Sequence, residues 1–110
     1  MLTEKDFCDY DTCVALEELG YPRYHYDNGG ELDKILRMVT LYNAQKWLRE
    51  EKKVIIVIVP YTYNIITETS TWTYEIWLED NLEREVHDFK TYEEALSEGI
   101  KEAVKILKEK

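Results

Sequence analysis

The chain has 110 residues, 45% of them hydrophobic and 13% aromatic, which suits one packed domain spanning 1–110 and excludes a disordered segment of this charge. Its 14 basic and 23 acidic side chains leave a formal net charge of −9, which disfavours nucleic acid and anionic membrane as partners, because both are bound largely through Lys and Arg. The longest apolar run is the six residues from Val54 to Val59, far below the ~18 of a membrane span; with no secretory pattern at the start, a cytoplasmic location is expected.

In chain order, an Asp at a capping position (Asp9 or Asp11) followed by Val14, Ala15, Leu16 and Leu19 on one stripe predicts a short helix to Leu19. Gly20 suits the left-handed terminating position, and Tyr21-Pro22 stop the helix. Residues 21–30 read as an extended aromatic excursion closed by a turn at 27–30. The next piece, 31–39, has Leu32, Ile35, Leu36 and Val39 at helical spacing, although its end reads equally well as extended. Thr40 caps a clearer helix to about Lys52, with Leu41, Ala44, Trp47 and Leu48 inward and Gln45, Arg49 and Glu50 outward.

Residues 54–79 carry two β-branched and aromatic runs separated by a polar connector, which predicts a β-hairpin. Pro60 cannot donate a ladder hydrogen bond, so the first strand is expected to be an edge, to bulge or to break there. The second strand alternates cleanly, with Trp72, Tyr74, Ile76 and Leu78 on a core face and Thr71, Thr73, Glu75, Trp77 and Glu79 on a wet one. A turn at Asp80-Asn81 leads to a more polar strand over 83–89. Thr91 and Glu94 form a capping box for a last helix, whose apolar stripe is thinned by Gly99 and two alanines as close approach to a sheet requires. The fold class is therefore α+β, a three-stranded antiparallel meander with helices packed on it in the order α-α-β-β-β-α.

No catalytic, cofactor or metal signature stands out. Cys8, Cys13, His25 and His87 lack the spacing of a zinc site, and neither cysteine has a nucleophile signature, so free thiols in a reducing compartment are expected. Glu75 and Glu79 flank Trp77 on one strand face, as in sugar-binding sites, but a solvated sheet face with one interfacial tryptophan is the favoured reading of them. Gly29-Gly30 has no phosphate-loop context and reads as a turn.

The aromatic content exceeds what a domain of this size buries, and Tyr and Trp are enriched where proteins meet. An exposed patch of Val54, Ile56, Ile58 and Trp77 on the second sheet face would mark an interface, helical cover of both faces being the alternative. The leading expectation is a noncatalytic protein-interaction module, binding a protein partner or itself. Its competitors are a small enzyme or ligand-binding domain with a pocket near Tyr24, His25 and Tyr26, and an acidic mimic of nucleic acid.

Two segments, LYNAQKWLREEKKV from Leu41 and TYEEALSEGIKEAVKIL from Thr91, resemble small uncharacterised proteins of gut Bacteroidetes and their phages and mobile elements. That family carries no assigned activity, so the resemblance implies a cytosolic accessory protein and transfers no site residue. The order helix, three strands, helix over 40–108 also looks like the double-stranded-RNA-binding fold and its antitoxin relatives. Here Glu98, Glu102 and Glu109 interrupt the basic residues of the last helix, which argues against RNA binding.

Overall fold

The structure is a computed structural model that describes residues 4–22, 39–64 and 69–109. After a 3-10 turn at Glu4–Asp6 come helix α1 (Tyr10–Glu18), helix α2 (Leu41–Glu51), strands β1 (Val54–Asn64), β2 (Thr69–Leu78) and β3 (Asn81–Phe89), and helix α3 (Tyr92–Lys108). The strands form one antiparallel sheet in the order β1-β2-β3, so the fold is α+β with the element order read from the sequence. The turn expected at 27–30 and the helical spacing at 31–38 lie outside the described residues.

Local chemistry sets the helix ends. Asp9 caps α1 by accepting from Thr12 N at 2.7 Å, Thr40 caps α2 by accepting from Asn43 N at 3.1 Å, and Thr91 caps α3 by accepting from Glu94 N at 3.0 Å. At the end of α1, Gly20 has φ 110°, with Gly20 N donating to Glu17 O and Tyr21 N to Leu16 O, both at 3.0 Å. That pair of bonds is a Schellman motif, and only glycine takes its backbone angle without strain. Ahead of α1, Cys8 N donates to Val39 O at 2.8 Å, and Phe7 bridges Thr40, which joins the start of the chain to the start of α2.

Helices α2 and α3 lie on one face of the sheet, and α1 packs on α3. The core between them includes Leu41, Leu48, Val54, Ile56, Ile76 and Ile100. Gly99 suits the close contact: a Cβ there would sit 3.0 Å from Ile56 Cγ2 and 3.2 Å from Tyr74 Cβ, so a side chain would force Ile56, Tyr74 or the helix to shift by a few tenths of an ångström. On α1 the buried side centres on Thr12, Cys13 and Leu16, and Val14, Ala15 and Leu19 of the expected stripe are only partly covered. Neither cysteine is in a disulfide and both are buried, and Cys13 Sγ donates to Cys8 O at 3.7 Å.

Both sheet edges carry features that deter further strands. β1 is an edge strand, and its register shifts between Pro60 and Thr62, so the proline marks an edge and a bulge together. Gln45, expected to face solvent, instead donates from Nε2 to Ile56 O at 2.8 Å and blocks the edge there. The opposite edge, β3, carries Glu83, Arg84, Glu85 and Asp88; its pairing with β2 shifts twice, and Asp88 has φ 75°. Charge and bulges of this kind deter strand addition.

Candidate functional site

Which side chains share a sheet face follows from the register, because directly paired residues of antiparallel strands point the same way. Val54 pairs with Leu78, Ile56 with Ile76, and Ile58 with Tyr74. These three β1 residues therefore fall on the face beneath the helices: Val54 is 0% exposed, Ile56 is 3% exposed, and Ile58 is partly buried against the same core. Trp77 pairs with Ile55 and points the other way. The expected patch of Val54, Ile56, Ile58 and Trp77 is thus divided between two faces, and only Trp77 lies on the outer one.

The outer face is organised in three rows across the strands: Ile55–Trp77–Leu82, Val57–Glu75–Glu85, and Val59–Thr73–His87. The first row is wholly apolar, with Ile55 45% exposed and Leu82 43% exposed on either side of the partly buried indole. Glu75 Oε1 accepts from Trp77 Nε1 at 3.1 Å, which fixes the ring. Above this row lies a hollow of about 450 Å³, floored by Ile55, Val57 and Trp77. Arg49 and Lys53 bound the hollow from α2 and the α2–β1 junction, and Glu79 and Asp80 bound it from the β2–β3 turn.

The face is less wet than the alternation of β2 suggests, since Thr73 is 0% exposed. Its Oγ1 lies 2.8 Å from His87 Nδ1, and His87 Nε2 lies 3.5 Å from Glu85 Oε1. A hydroxyl, an imidazole and a carboxylate in sequence are the parts of a nucleophilic relay. Here the hydroxyl is sealed from any substrate, and the chain of contacts serves to tie β2 to β3.

A second groove, of about 500 Å³, runs between α1 and α3 and is lined by Asp9, Asp11, Lys101, Lys105, Lys108 and Glu109 among others. Three of these charges are paired within the molecule: Lys101 Nζ is 3.1 Å from Asp9 Oδ2, and Lys108 pairs with Glu18. Burial pushes the Asp9 carboxyl up, but the hydrogen bonds from Thr12 and Lys101 outweigh it and hold the group below the ordinary 3.8. The Asp9 hydrogen bond in turn raises the Lys101 ammonium. These pairs fasten α1 to α3.

Among the described residues, no group of three or more His, Cys, Asp and Glu side chains is placed to hold a metal ion. No helix among them is long and apolar enough to cross a membrane. Tyr24, His25 and Tyr26, where a ligand pocket was expected, lie outside the described residues. Comparison with protein-family models, with curated proteins and with solved structures found no match to this chain.

Proposed function

We propose that this chain is a noncatalytic protein-interaction module that presents its outer sheet face to a protein partner. The observation carrying this reading is the Ile55–Trp77–Leu82 row, which sets two exposed aliphatic side chains on either side of a fixed indole. Single apolar residues on a surface need no explanation, but a contiguous row around an aromatic anchor with a charged rim has the anatomy of an interface. The net charge of −9 favours a protein over a phosphate-bearing partner. An accessory role in a mobile element is the form of this function that the resemblance of the helical segments suggests.

Placing a photo-crosslinking phenylalanine derivative at Ile55, with the same group at exposed Lys105 as control, tests the reading in cells expressing the full chain. A discrete protein adduct formed from position 55 and not from 105 is expected. Equal or no crosslinking at the two positions would remove the outer face as the binding surface.

A further inference from the structure

We infer that the partner of the outer face is a second copy of this chain, docked face to face about a two-fold axis. The inference rests on the reading of that face as an interaction surface and adds the identity of its occupant. Its basis is the charged end of the hollow, which is basic on the β1 side, through Arg49 and Lys53, and acidic on the β2 side, through Glu79 and Asp80, with the apolar floor of Ile55, Val57 and Trp77 next to it along the strands. An isologous contact requires a self-complementary patch. A two-fold axis lying in the face, along the strands and between β1 and β2, brings each basic side over the partner's acidic side and each Trp77 toward the partner's Ile55.

The fold favours this closed arrangement. Gln45 on Ile56 O and the charged, bulged β3 disfavour association by strand addition, which leaves stacking of faces as the favoured mode. With helices already covering one face, a second sheet about 10 Å away over the other buries Ile55 and Trp77, the β1 and β2 members of the apolar row, as aligned sheets do. Two overlapping strands about 4.8 Å apart, with rows about 6.8 Å apart, give a contact of only a few hundred Å² per copy. Such a contact lies at the small end of specific interfaces, the class of weak, transient association rather than permanent assembly.

Charge reversal with the purified full chain tests this. An all-acidic rim is made by Arg49→Glu with Lys53→Asp, and an all-basic rim by Glu79→Lys with Asp80→Asn, Asp and Asn being chosen because Lys53 and Asp80 have φ 59° and 68°. Sedimentation velocity should show the parent chain dimerising at high micromolar concentration and each variant alone associating at least about 10-fold more weakly. An equimolar mixture of the two should recover a heterodimer, and circular dichroism should show both variants folded. A parent chain that stays monomeric, or variants that self-associate like the parent, would overturn the inference. A monomeric parent that still crosslinks another protein through position 55 would overturn the second copy alone and leave the interaction face standing.

Discussion

At residue scale, neighbouring positions of β1 have opposite fates. Ile56 is 3% exposed beneath α3 and touches the position where any Cβ on Gly99 would fall, whereas Ile55, one residue earlier, is 45% exposed on the outer face. Truncating the first leaves a void in a packed layer, and truncating the second returns a partly wet side chain to water. Ile56→Ala should therefore cost about 3 kcal/mol of stability, and Ile55→Ala less than about 1 kcal/mol, both read by urea unfolding. Equal losses at the two positions would mean that the assignment of faces is wrong. The comparison also separates fold from function, since a charged substitution belongs at Ile55 if binding is to be tested and would unfold the chain at Ile56.

At element scale, the two-residue link between β2 and β3 carries an unusual backbone. Leu78 pairs with Asn81, and the residues between them, Glu79 and Asp80, have φ 49° and 68°. Positive φ at both central positions is the signature of a type I′ turn, whose preferred sequence is Asn-Gly. Replacing Glu79→Asn and Asp80→Gly together should stabilise the fold by about 1 kcal/mol, measured as a higher urea midpoint with an unchanged slope. A lower midpoint would show that Glu79 does more than occupy a turn.

This turn also marks the limit of what the sequence discloses. Thr40, Thr91, Gly20 and the Gly99 stripe were legible because caps and helical stripes depend on residues within a turn or two of one another. The β2–β3 turn falls at Glu79-Asp80, one residue before the Asp80-Asn81 that the turn residues indicate, since Glu79 carries no local sign of positive φ. The pairing of Trp77 with Ile55 rather than with the even-numbered residues of β1 depends on register, which is fixed by the connection between strands and not by the composition of either. The two shifts in β3 and the turn of Gln45 onto β1 were hidden for the same reason: each answers to a partner distant in sequence.

At the scale of the molecule, cohesion is uneven. β2 is paired on both sides and packed against α3, whereas among the described elements α1 meets the rest mainly through α3. Leu16 and Cys13 anchor α1, assisted by the Lys101–Asp9 and Lys108–Glu18 pairs. Exposed ion pairs of this kind contribute at most about 1 kcal/mol each, so α1 should open without the sheet at a lower free energy than global unfolding. Cys13, 1% exposed, reports that event directly. In a Cys8→Ala variant, which leaves Cys13 as the only thiol of the two, labelling in dilute urea requires α1 to lift away while the sheet stays formed. The surface uncovered is then a fraction of that exposed on global unfolding, and the denaturant slope scales with that surface. The free energy of the labelling reaction should accordingly fall with urea less steeply than the global unfolding free energy, the two lines meeting near the unfolding midpoint. Identical slopes at all urea concentrations would show instead that α1 and the sheet unfold as one unit, and that the packing of Cys13 and Leu16 couples the helix to the core more strongly than its few contacts suggest.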